Sequence, residues 1–172
     1  MPSVRFTLPF IRADVFTELC RFGRPLGVYG RDVQFQAQKG SNIAADDLVY
    51  VGCQRAAYFS QESQLGYTVS ECVEVVPHAR LVWRELQCRK KGLQYVKGME
   101  TYPEVCIDLS DDLLGGTVVD FRIDFERVAK DSSGAVDPTL EKRFRQHVAD
   151  LWHNDMWHRG YVPLPSYDDL GA

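Results

Sequence analysis

Hydrophobic and polar positions alternate with a period of two through most of the chain. A helical period appears only near the two ends. Residues 4–11 place Phe6, Leu8 and Phe10 on one side and are rich in β-forming types, so they read as a first strand. Residues 13–22 follow with Val15, Phe16, Leu19 and Cys20 at helical spacing, a short amphipathic helix. Gly23, Pro25, Gly27 and Gly30 then break the chain. Residues 33–38 form a polar, edge-like strand, 40–47 a turn-rich connection and 48–59 a long strand. Strands over 67–76 and 80–89 come next, separated by Pro77 and His78. Residues 93–96 and 99–109 read as one bent strand, with Pro103 forcing an edge or a bulge. Gly115-Gly116 signals a hairpin. Residues 117–128 alternate most cleanly, with Val119, Phe121, Ile123 and Phe125 against Asp120, Arg122, Asp124 and Glu126. That pattern requires an antiparallel sheet with one dry and one wet face. Asp137-Pro138 has the form of a helix start, and the helix runs to about Arg159, where Gly160 stops it. Residues 1–160 are thus expected to make one domain, and 161–172, with Pro163 and Pro165, an irregular tail.

Composition narrows this little. The 172 residues are 45% apolar and 26% charged, which suits one globular domain and not a disordered chain. A net charge of −4 argues against broad nucleic-acid binding, which needs a basic face. Uncharged stretches run to about eight residues, as over 63–70, against the roughly 20 that a spanning helix needs. No signal-peptide pattern opens the chain, and a cytoplasmic location is expected. Cys20, Cys53, Cys72, Cys88 and Cys106 are widely spaced, with no C-x-x-C, and read as reduced, mostly buried thiols. The fingerprints of nucleotide-binding loops, zinc proteases and serine hydrolases are all missing. No metal and no cofactor is expected.

The order of elements resembles the helix-grip fold of the START/Bet v 1/polyketide-cyclase superfamily over about residues 4–160. Val75-Val76-Pro77 followed by Arg80-Leu81-Val82-Trp83 is similar to its turn between middle strands. Gly115-Gly116-Thr117 leading into residues 118–125 is similar to its hairpin into the last strand, and the terminal helix ending near Gly160 also fits. The resemblance implies an α+β fold, a curved antiparallel sheet wrapped round a long C-terminal helix, with an internal cavity for a hydrophobic, ring-containing small molecule. It carries no catalytic signature with it.

Candidate chemistry comes from polar residues on apolar faces. At 100° per residue, Leu140, Phe144, His147, Val148, Leu151, Asn154, Asp155 and His158 share one face of the terminal helix, with Trp152 elsewhere. His147, between Phe144 and Leu151, is the expected proton carrier. Glu85 shares a strand face with Leu81 and Trp83, and Glu71 with Tyr67, Val69, Val73 and Val75. Tyr50 and Tyr58 share a parity, as do Tyr102 and Glu104. His147, Glu85 and Tyr58 are the catalytic candidates. Tyr50, Tyr67, Glu71, Trp83, Tyr102, Phe144, Leu151 and Asp155 are the expected ligand contacts. Two functions compete: a cofactor-free cyclase, dehydratase or isomerase, and a non-catalytic carrier. A protein-interaction domain like the co-chaperones of this fold is a third reading.

Overall fold

The computed structural model describes residues 3–27, 33–38, 40–59, 66–90, 93–95, 104–122, 140–165 and 167. Among them are eight strands: β1 (Ser3–Leu8), β2 (Val33–Gln38), β3 (Gln54–Phe59), β4 (Gly66–Val76), β5 (Arg80–Lys90), β6 (Leu93–Tyr95), β7 (Glu104–Asp111) and β8 (Thr117–Arg122). Two helices, α1 (Arg12–Leu19) and α2 (Leu140–His158), complete the elements. The strands form one antiparallel sheet in the order β1-β8-β7-β5-β4-β3-β2, with β6 also pairing β5. β6 and β7 therefore lie along the same edge of β5, as pieces of one bent strand would. The expected α+β helix-grip architecture is present.

Alternation sets the inner face where the strands are regular. β1 buries Val4, Phe6 and Leu8, and β8 buries Thr117, Val119 and Phe121 directly opposite them. β7 adds Ile107 and Leu109. Asp112 N–H…O=C pairing with Gly116, and Gly115 at φ 91°, close the β7–β8 hairpin. Gly115 takes a left-handed conformation that a side chain would strain. The β4–β5 turn has Pro77 first and His78 second at φ 60°, with Ala79 N–H donating to Val76 O at 3.0 Å, the geometry of a type II turn.

Two irregularities displace sequence expectations. Register shifts fall between Val69 and Ser70 and between Cys72 and Glu74. Val73 is the extra residue on β4 and Leu86 the extra residue on β5. Strict alternation would put Tyr67, Val69 and Glu71 inside. The inner residues are instead Thr68, Ser70 and Cys72, and Val75 rejoins the core only after the bulge. The Leu86 bulge likewise turns Gln87 outward, where it donates to the Tyr67 hydroxyl at 2.9 Å. The long strand expected over 48–59 is also shorter. Gly52 at φ 94° and a turn with Cys53 N–H on Tyr50 O delay its start to Gln54.

α2 presents Val148, Trp152 and Met156 to the core, each fully buried. The expected face is rotated, since His147, Asn154 and His158 are exposed. Trp152 decides the phase. Its indole meets the rings of Phe6 at 5.6 Å and Phe121 at 6.1 Å, both edge-on. Burying one tryptophan against two phenylalanines outweighs placing polar residues on the face. The helix ends as expected at Gly160, φ 95°, where Gly160 N–H bonds Trp157 O and Tyr161 N–H bonds Met156 O. Those two bonds define a Schellman cap. Beyond it, Leu164 N–H donates to Pro9 O at 2.8 Å, and Tyr167 hydroxyl bonds Asp112. The strand expected to reach residue 128 is described only to Arg122. Ile123, Pro103 and the helix start at Pro138 lie outside the described residues.

The convex face is tied by ions. Asp108 accepts from Arg80 at 2.6 Å and Arg122 at 2.5 Å, and Arg84 reaches Glu104 at 2.8 Å. Partial burial raises the Asp108 carboxyl, but hydrogen bonds from Arg80 and Arg122 outweigh it and hold the group below the usual carboxylate range. Such a group stabilises the fold when ionised, and that contribution is lost as pH falls through its native pKa. Asp108→Asn should therefore lower the melting temperature at neutral pH, and the gap to the native chain should close progressively below about pH 4. A gap that widened on acidification would contradict the pairing. Trp152→Ala should cost about 3–5 kcal/mol in urea melts. His147→Ala should change stability by no more than ~0.5 kcal/mol, as exposed positions do.

Candidate functional site

The sheet bends away from the cavity-facing side of α2, and a cavity of about 270 Å³ lies between them. Its aliphatic and aromatic wall comes from Leu81 and Trp83 on β5, Val105 and Ile107 on β7, Phe121 on β8, Phe35 on β2 and Leu151 on α2. Residues 23–27 cover another side, through Gly23, Arg24, Pro25, Leu26 and Gly27. The polar lining is Arg55, Thr68, Ser70, Glu85, Asp155 and Arg159, with Arg24.

The register organises these groups. Leu81, Ile107 and Phe121 stand in one cross-strand row, since Leu81 faces Ile107 and Ile107 faces Phe121. Arg55 faces Ser70, and Ser70 faces Glu85, so a guanidinium, a hydroxyl and a carboxylate form a second row over β3, β4 and β5. Between these rows runs Cys53, Cys72 and Trp83. The concave face thus grades from apolar to polar along the strands. Arg55 Cζ lies 4.0 Å from the Trp83 ring centre and 4.5 Å from that of Phe35, and Nη1 donates to Phe22 O at 3.0 Å. Beside it, burial pushes the Cys20 thiol up to about 12, while a hydrogen bond from Cys72 brings Cys53 down to about 7. Cys72 is itself raised by that donation.

The covering segment is held from α2 and α1. Gly27 N–H donates to Asp155 Oδ2 at 3.0 Å, and Arg159 Nη2 donates to Pro25 O at 3.0 Å. Arg159 also lies 3.6 Å from Glu18, a carboxylate only 2% exposed, which receives Arg21 Nε at 2.5 Å. Arg24 pairs with Asp46, and Gly23 N–H bonds Ala45 O. A buried carboxylate needs such partners, and here they anchor the loop at the helix terminus.

Of the sequence-predicted residues, Glu85, Trp83, Leu151 and Asp155 line the cavity together. Asp155 does so as a loop anchor. His147 is exposed and outside the lining. Tyr58 is 39% and Tyr50 48% exposed, on the other side of the sheet and before it. Tyr67 packs beside Tyr58, ring centres 5.9 Å apart, and Glu71 accepts from Gln54 at 3.3 Å, both away from the cavity. The β4–β5 bulges account for the last two. Tyr102 and the Phe144 side chain lie outside the described residues. Sequence reasoning missed Arg55 and Ser70. The signal for Arg55 was the small apolar company of Cys53 and Ala57 at its own parity, although Gln54 and Ala56 on the other face are buried too.

No protein-family model matches the chain, and no curated protein sequence matches it. Solved structures do. An uncharacterised protein from Rhizobium leguminosarum superposes at TM-score 0.58 and 12% identity, over 91% of this chain and 93% of the other. Ginseng major latex-like protein 151 from Panax ginseng gives 0.54 and 17%, over 90% and 95%. DynU16, from the dynemicin biosynthetic locus, gives 0.50 and 13%, with 95% of this chain on 48% of that one. At these identities the likeness is one of fold alone, an antiparallel sheet with a long C-terminal helix.

Asp155→Ala should release the residue 23–27 cover locally. The Gly27 amide should then exchange hydrogen faster, while global stability falls by only about 1 kcal/mol. Unchanged exchange at Gly27 would show that Asp155 does not hold the segment.

Proposed function

We propose, from the helix-grip fold, that this chain binds a hydrophobic, ring-containing small molecule between the concave sheet face and α2. The observation that carries the reading is the cavity itself, lined by Trp83, Phe35 and Phe121 and by aliphatic side chains. Its volume, about 270 Å³, is at the small end of ligand sites and suits a molecule of a few rings. Among the described residues no helix is long and apolar enough to cross a membrane. Native mass spectrometry of freshly purified protein tests the reading, through a co-purifying compound of that class. Ala57→Phe, which places a ring in the cavity from β3, should weaken binding at least ~10-fold while the chain stays folded. Retained affinity would move the site elsewhere.

One feature favours a cofactor-free enzyme over a passive carrier. A carrier of apolar molecules gains nothing from a carboxylate, a hydroxyl and a guanidinium in one row, and desolvating them is costly. In this reading Glu85 transfers the proton and Arg55 and Ser70 orient the reacting oxygen. His147 takes no part, because it is exposed. Glu85→Gln should cut turnover about 10²- to 10⁴-fold with affinity little changed. If the chain is a carrier, the same substitution alters affinity alone.

A further inference from the structure

Two buried thiols face each other where β3 begins. Cys72 N–H donates to Cys53 O at 2.9 Å, and Gly52 N–H donates to Cys72 O at 2.8 Å, with Gly52 at φ 94°. Gly52 and Cys53 together oppose the single residue Cys72, a bulge whose left-handed first position requires glycine. It extends the β3–β4 ladder by one step beyond the Gln54–Glu71 pair. Facing residues of an antiparallel pair lie about 4.5–5.5 Å apart at Cα. A disulfide spans about 4.4–6.8 Å, so the backbone already holds this pair at bonding separation. Both residues are buried from solvent. The pair is also asymmetric. The hydrogen bond from Cys72 holds Cys53 at about 7, so much of it is thiolate at neutral pH, and that bond keeps the proton on Cys72. Cys20, the third thiol of the group, is pushed up to about 12 by burial and stays protonated.

We propose that Cys53 and Cys72 are a dithiol pair that a hydroperoxide closes to a disulfide and a thiol reductant reopens. The Cys53 thiolate attacks the outer peroxide oxygen, the O–O bond breaks, and the departing alkoxide or hydroxide takes up a proton. Cys53 is then a sulfenic acid, oxidised by two electrons. The Cys72 sulfur next attacks the Cys53 sulfur. The S–S bond forms, the S–O bond breaks, and the hydroxyl leaves as water with the Cys72 proton. Two thiols and one hydroperoxide thus give one disulfide, one alcohol or water, and one further water. Tyr50, Val51 and Gly52, just ahead of Cys53, are exposed and lie outside the strand ladder. Such a turn opens locally at less cost than a strand, which gives a small oxidant its path. Closure ties the base of the β3–β4 hairpin, from which Ala57, Thr68 and Ser70 reach the cavity wall. The proposal needs no ligand and is independent of the ligand-binding reading.

Treatment of the reduced, folded full chain with equimolar hydrogen peroxide at neutral pH, followed by alkylation and mass spectrometry, tests this. The intact mass should fall by two hydrogens, and a non-reducing peptide map should join the Cys53 peptide to the Cys72 peptide. Dithiothreitol should restore both thiols. Cys20→Ser should form the same link. Cys72→Ser should stall at the sulfenic acid, which dimedone labels at Cys53, whereas Cys53→Ser should leave Cys72 unlabelled. Dimedone labelling of Cys72 in Cys53→Ser, with none of Cys53 in Cys72→Ser, would overturn the assigned order of attack. A link from Cys53 to Cys20, a link between two chains, oxygen adducts without a link, or thiols that stay reduced in the folded chain would overturn the proposal. Should either serine variant fail to fold, the peptide map of the native chain decides by itself.

Discussion

A straight helix cannot fill the concavity of a bent antiparallel sheet, so it must touch at one side and stand off at the other. Here the contact is Trp152, wedged edge-on between Phe6 of β1 and Phe121 of β8. That wedge fixes both the rotation of α2 and its closeness to the β1–β8 edge. On the β3–β5 side the same helix offers Leu151 and Asp155, with Arg159 just beyond its end, across a gap. The gap is a geometric remainder, and its lining is what sequence can vary without disturbing the wedge.

How far the sequence foretold this depended on regularity. β8 and its hairpin were readable because nothing interrupts the alternation from Thr117 to Arg122 and because Gly115-Gly116 has few other uses. The helix terminus was readable from Gly160 for the same kind of reason. β4 was misread because alternation assumes unbroken register, and a bulge leaves no compositional mark at Val73 or Leu86. The face of α2 was misread because polar residues at 147, 154 and 158 looked like cavity chemistry. Trp152, flanked by Leu151 and His153, anchors the helix through Phe6 and Phe121, partners that lie on strands distant in sequence. Arg55 is not legible as an inward residue, because a charged residue in a strand ordinarily points to water.

The two faces of the sheet use charge differently. On the convex side, Asp108, Arg80, Arg122, Arg84 and Glu104 pair across β5, β7 and β8 while partly wet, so each pair contributes modestly. On the concave side Glu18 is dry and must be matched by Arg21 and Arg159. The segment over the cavity is fastened to that matched group. Its position therefore depends on one buried carboxylate on α1 and the last turn of α2, two elements far apart in the chain.

The bulges have a further consequence for how such a molecule can diversify. Val73 and Leu86 are each one residue in excess of the ladder, and their effects on the β4–β5 register balance. Removing or adding a single residue at either point turns a whole strand segment over, exchanging its wet and dry side chains at a stroke. The chemistry of the concave face can then change by altering chain length at two loci, with no substitution among the residues that face inward. A lineage built on this scaffold has a route to new interiors that point mutation, taken one core position at a time, does not offer.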